Sequence, residues 1–95
     1  MRLRRLNSTL ILLFLSFLVK GQVSGHIYSS VTKQPLPFCN IVCKYTNIGT
    51  ITDLGGGFEI NTTLGSTLDI SFIGYKSKKI IVNNTNIGSV YLDLQ

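Results

Sequence analysis

From Val23 onward, apolar residues fall on alternate positions, the two-residue period of strands with one buried face, and not on the 3.6-residue period of a helix. Alanine is absent and β-branched residues abound, which reinforces the strand reading. Val23, Gly25, Ile27 and Tyr28 mark a first strand. Ser29 to Pro37 reads as a loop, with Pro35 and Pro37 interrupting any ladder. Cys39, Ile41 and Cys43 share one face of a second strand, opposite Asn40, Val42 and Lys44. Thr50 to Asp53 is a short third strand, closed by the tight turn Leu54-Gly55-Gly56-Gly57. Phe58 to Asn61, Thr67 to Ile73, Lys76 to Val82 and Ser89 to Leu94 follow, separated by turns at Thr63–Ser66, Gly74-Tyr75 and Asn83–Gly88. About seven short strands with regular turn signals predict an all-β fold, a small antiparallel β-sandwich.

The first 21 residues break this pattern. Arg2, Arg4 and Arg5 precede an apolar run from Leu10 to Val19, and Val19-Lys20-Gly21 sets small residues at the minus-three and minus-one positions. These are the zones of a secretory signal peptide. The run falls short of the ~20 residues a membrane-spanning helix needs, so cleavage after Gly21 is favoured over a retained anchor. Residues 1–21 are thus expected to be a signal peptide and 22–95 one domain. Cys39 lies too far downstream to carry a lipid anchor.

Charge then changes its meaning. The chain is formally +5, but Arg2, Arg4, Arg5 and Lys20 sit in the leader. The remainder sets Lys33, Lys44, Lys76, Lys78 and Lys79 against Asp53, Glu59, Asp69 and Asp93, a body of net charge +1. A nucleic-acid partner would call for a basic face on the folded part, so none is expected. The two cysteines cannot bridge within a regular strand. Four residues apart they lie about 13 Å from each other, and a disulfide needs Cα atoms within about 7 Å. They read as small buried hydrophobes.

Candidate chemistry is sparse. Gly55-Gly56-Gly57 is followed by a strand and not by the helix N-terminus a phosphate loop requires, so it is a hairpin turn. Asp53 reads as an acceptor for backbone N–H groups across the glycines. His26, the sole histidine, is placed on the exposed face of an edge strand, without a nucleophile beside it. Ser71 has no accompanying base. Glu59 and Asp69 are solvated strand residues. Lys76, Lys78 and Lys79 mark a strand edge protected by charge. Tyr75 is expected to pack its ring on the sandwich and to bond its hydroxyl to backbone. Tyr28, Tyr45 and Tyr91 are further aromatics that a sugar could stack on. No catalytic residue, cofactor or metal site is assigned.

Several of these runs together carry a resemblance: Val23-Ser24-Gly25-His26-Ile27, Gln34 to Ile41, Gly49-Thr50-Ile51-Thr52-Asp53, Gly56-Gly57-Phe58 and Leu68 to Lys76. The chain resembles the carboxypeptidase-regulatory-like domain, a prealbumin-like β-sandwich also found at the N-terminus of SusC-type TonB-dependent outer-membrane transporters. The motif positions are Thr52, Asp53, Gly56, Phe58, Ser71, Gly74 and Tyr75, each expected to serve turns and packing. Gly55 stands where the family usually has an acid, Phe38 where it prefers a small residue, and the cysteines where it has valine or alanine. The resemblance implies a non-catalytic exported accessory module, periplasmic or outer-membrane-associated in a Gram-negative cell, with a transporter or other envelope protein as partner. It leaves open whether the chain is free-standing or the front of a longer receptor. The alternative is a small glycan- or peptide-binding sandwich.

Overall fold

The computed structural model describes residues 21–95, so the expected signal peptide lies outside the described residues apart from its last position, Gly21. Seven strands follow in order: β1 (Gly21–Ser29), β2 (Asn40–Cys43), β3 (Gly49–Ile51), β4 (Gly57–Thr62), β5 (Thr67–Ser71), β6 (Lys78–Ile81) and β7 (Asn86–Leu92). They form two sheets, one ordered β4-β1-β7 and the other β3-β2-β5-β6. The all-β sandwich read from the alternation is therefore the fold.

Alternation along each strand fills the space between the sheets. Val23 and Ile27 of β1, Ile41 and Cys43 of β2, Phe58 and Ile60 of β4, Leu68 and Ile70 of β5, and Val90 and Leu92 of β7 are all buried. Cys39, Leu36 and Val82 add to them from the connections. Each large aliphatic residue so buried contributes roughly 1.5–3 kcal/mol relative to exposure. Both cysteines face this core, at 0% and 2% exposure, and neither is in a disulfide.

Two features depart from the pattern. Pairing is antiparallel everywhere except between β1 and β7, which run parallel from Ser24↔Asn86 to Ser29↔Leu92. The first and last strands of the described chain are thus neighbours, and β1 is the central strand of its sheet. His26 is solvent-exposed, but it stands on this central strand and not on an edge. The second departure is where β7 starts. Asn86-Ile87-Gly88 reads as a turn from its residue types, yet it is already strand, and Gly88 at φ +76° sits at the irregularity in the β1–β7 register. A glycine in the left-handed region absorbs the extra residue of such a bulge.

One side of the sandwich is closed. Beyond β7, Lys76 N–H donates to the Asp93 carbonyl (2.8 Å) and Gln95 N–H to that of Gly74 (3.0 Å). Tyr75 bridges Leu94, and Lys78 Nζ donates to the Tyr91 carbonyl (3.2 Å). The C-terminal residues therefore strap β7's sheet to the bend before β6.

Candidate functional site

The motif residues gather where β3 leaves one sheet and β4 enters the other. Thr52, only 1% exposed, anchors the connection before β2. Its hydroxyl donates to the Leu36 carbonyl (2.6 Å) and accepts the Cys39 N–H (2.9 Å). Its backbone pairs with Phe38 and Cys39 as well, Phe38 N–H reaching the Thr52 carbonyl and Thr52 N–H that of Cys39. This grip holds Phe38 at φ 63°, an uncommon conformation for a bulky residue, with its ring 59% exposed.

Asp53 ties the turn, which joins strands of different sheets and so is not the expected hairpin. Its Oδ1 accepts the N–H groups of Gly55 (3.0 Å) and Gly57 (2.9 Å), while its own N–H donates to the Gly57 carbonyl. Gly56, at φ +78°, is wedged against β1: a Cβ there would lie 2.5 Å from the Ile27 carbonyl oxygen and 3.0 Å from Pro35 Cβ. Its own carbonyl accepts Ile27 N–H, and Ile27's carbonyl accepts Leu36 N–H. The turn, the central strand and the proline loop are thereby one backbone network. Phe58 is buried beside Gly25, where any Cβ would meet Ile87 at 2.6 Å and the Phe58 ring at 2.9 Å. Gly25's lack of a side chain is what admits that ring.

The remaining motif positions lie elsewhere. Ser71 ends β5 opposite Asn40. Gly74, at φ +86°, turns the chain so that Tyr75 N–H reaches the Phe72 carbonyl, and the Tyr75 ring packs on Phe72 at 5.8 Å. The Tyr75 hydroxyl forms no hydrogen bond among the described residues, so the expected bond to backbone is not made. Composition gave little sign of a second polar network. Cys43 Sγ lies 3.2 Å from Thr62 Oγ1, which lies 2.8 Å from Ser66 Oγ, which in turn donates to the Thr63 carbonyl. Ser66 has then spent its proton, so Thr62 donates to Ser66, while the Cys43 thiol also reaches the Lys44 carbonyl at 4.0 Å. Thr62 on the inward face of β4 was the one available signal.

A groove of about 550 Å³ opens where β3 and β4 splay apart, lined by Ser24, His26, Ile51, Asp53, Gly57 and Glu59 among others. His26 Nε2 and the Asp53 carboxylate flank bare Gly57, both close enough to crowd a Cβ there. Serine, histidine and aspartate share this groove, yet no hydrogen bond joins them among the described residues, and Asp53 Oδ1 is engaged by the turn. No three His, Cys, Asp or Glu side chains among the described residues converge as a metal site. Burial pushes the Cys39 thiol above its ordinary 9.0, an effect that Thr52 partly offsets. Such a thiol is a weak nucleophile. On the outer face of the β4-β1-β7 sheet, His26, Tyr28 and Tyr91 form a row at 6.3 and 5.6 Å, with Lys33 Nζ 5.0 Å above the Tyr91 ring. Tyr28 and Tyr91 are a cross-strand pair, and His26 sits beside Tyr28 on the same face of β1. Tyr45, 92% exposed, lies apart on the turn after β2.

Comparison with known proteins agrees with this geometry. TonB-dependent receptor SusC of Bacteroides thetaiotaomicron is 38% identical over 56 residues, which are 59% of this chain and 6% of that protein. Two crystal structures of mutant type II cohesin–X-dockerin complexes from Acetivibrio cellulolyticus each contain a chain of similar fold. Their TM-scores are 0.57 and 0.54 at 22% and 21% identity, over 72% of this chain and 51% of theirs. At that identity the likeness is one of fold. This chain spans a small fraction of SusC and about half of the matched structures. The family model of the CarboxypepD_reg-like domain matches residues 23–95. From its turn glycines to its C-terminal strap, the chain belongs to the CarboxypepD_reg-like domain family.

Proposed function

We propose that this chain is a non-catalytic interaction module, exported by a cleavable leader of residues 1–21. In this reading residues 22–95 are the working domain, at the outer membrane of a Gram-negative cell on its periplasmic side, as the N-terminal domain of a TonB-dependent nutrient transporter or a close counterpart. The observation that carries it is the 38% identity with SusC, found in a chain whose motif residues are consumed by turns and packing. Thr52, Asp53, Gly56 and Phe58 serve to shape the turn between the sheets, and Gly74 and Tyr75 to shape the β5–β6 hairpin, leaving none of these as a reactive group. A module of this kind positions a larger machine and does not turn over substrate.

Fractionation of a Gram-negative host expressing the tagged chain tests the location, and N-terminal sequencing tests the leader. A mature protein beginning at Gln22 in the periplasmic or outer-membrane fraction is the expected result. Retention in the cytoplasm with Met1 intact would overturn the reading. Turnover of peptide or glycan substrates by the purified protein would overturn its non-catalytic part.

A further inference from the structure

The two sides of the sandwich treat their strand edges differently. On the β6 side the edge carries Lys78 and Lys79, and the C-terminal residues strap it to β7's sheet. Lysines and covering segments are the usual defences of an exposed edge. On the opposite side β3 and β4 are the outermost strands of their sheets, and neither contains a lysine or a proline.

Register shows which backbone groups on that side lack a partner. Ile27 N–H donates to the Gly56 carbonyl, so bonding to β1 recurs at every second residue from Gly56: Phe58, Ile60 and Thr62. The N–H and C=O groups of Glu59 and Asn61 therefore point away from β1. On β3, Cys43 N–H bonds the Ile48 carbonyl and Thr52 N–H that of Cys39, which turns the backbone groups of Gly49 and Ile51 outward in the same way. Among the described residues no backbone hydrogen bond reaches these outward groups. The groove lies between the two edges, so an extended chain entering it meets donors and acceptors at the spacing of a strand.

Charge selects what kind of chain. Asp53 and Glu59 line the groove, and His26 is its only basic side chain among the described residues. We infer that the open edge of β4 takes an extended, lysine- or arginine-bearing segment of a partner protein as an added strand, with a basic side chain beside Glu59. Main-chain bonds at Glu59 and Asn61 give such a strand its affinity, and the side chains on alternate positions give it specificity. The inference goes beyond the envelope reading and does not depend on where the protein resides.

The test is a titration of the purified, nitrogen-15-labelled protein with three acetylated and amidated octapeptides: alternating Lys-Val, alternating Glu-Val, and Lys-Val with a central proline. A maltooligosaccharide is the fourth probe. Amide shifts and hydrogen exchange are read at Glu59, Asn61, Gly49 and Ile51. The expected result is saturable binding of the Lys-Val peptide, with exchange slowed at least tenfold at Glu59 and Asn61. The proline peptide and the Glu-Val peptide should bind at least tenfold more weakly. Asn61→Pro removes an outward N–H without touching the β1 ladder, and should abolish binding while the other amide signals persist. Glu59→Lys, a solvent-facing change, should weaken the Lys-Val peptide at least tenfold and strengthen the Glu-Val one. No saturation by the Lys-Val peptide, equal binding of all three peptides, or shifts at these amides with the oligosaccharide alone would overturn the inference.

Discussion

Gly56 and Gly65 both sit at positive φ, yet only one is crowded. A side chain at Gly65 meets nothing within 4 Å, whereas at Gly56 it meets the Ile27 carbonyl at 2.5 Å. Gly65→Ala should therefore cost only the left-handed backbone penalty, about 1–2 kcal/mol. Gly56→Ala should cost about 3 kcal/mol or more, because a central strand must shift as well. Urea denaturation of the two variants measures the difference. Thr52 gives a second test of the same turn. Thr52→Val strands the Leu36 carbonyl and the Cys39 N–H in the core, at about 1–3 kcal/mol each. Thr52→Ser keeps the hydroxyl and should lose about 1 kcal/mol. Cys39 supplies a pH dependence. Burial raises its folded pKa above 9.0, so the unfolded chain ionises first and binds fewer protons there. Stability then has its full value below pH 9.0 and falls as pH rises from 9.0 through the folded pKa. Thermal melts from pH 8 to 11 should show the decline, and Cys39→Val should remove that thiol's share of it.

At the scale of the elements, the β6 edge separates solubility from stability. The Asp69–Lys79 pair is close, at 2.7 Å, but its side chains are 62% and 37% exposed on the lysine and aspartate. Such a pair is worth at most about 1 kcal/mol. Lys78→Val with Lys79→Val should leave the urea midpoint nearly unchanged yet drive self-association through a newly apolar edge, visible as larger species by size-exclusion chromatography. Strand existence was legible in the sequence because the core side chains obey period two almost without exception. Cys39, Ile41 and Cys43 share a buried face as their spacing requires. The starts and ends were less legible: Asn86-Ile87-Gly88 has turn composition and becomes strand only because β1 offers it a bulged parallel partner. That partner lies some 60 residues away in sequence, beyond the reach of any local pattern. His26 was misplaced for the same reason, since nothing in Val23–Tyr28 reveals a neighbour on both sides. At the β3–β4 turn, residue types pointed to Asp53 and the glycines, but Gly25 yielding room to Phe58 depends on the neighbouring strand of the same sheet, and the Cys43–Thr62 contact on the other sheet.

At the scale of the whole molecule, stability rests on contacts between distant segments, and the two sheets present unlike sides. The strapped side is finished within the chain, and the β3–β4 side leaves backbone groups unpaired among the described residues. The parallel β1–β7 pairing carries a mechanical consequence. β1 enters at Gly21 and β7 leaves at Leu92, the partner of Ser29 at the other end of β1, about 26 Å away, with the parallel ladder running from Ser24 to Ser29 between them. Tension applied between these ends slides one strand along the other and loads the shared bonds together, where an antiparallel hairpin would open one bond at a time. Stretched from its ends, the domain should therefore hold to a sharp yield force. Pulled between Gly21 and Thr62, partners at one end of the antiparallel β1–β4 ladder, it should give way more easily, a contrast that single-molecule stretching can measure. The terminal strands act as a tensile clasp.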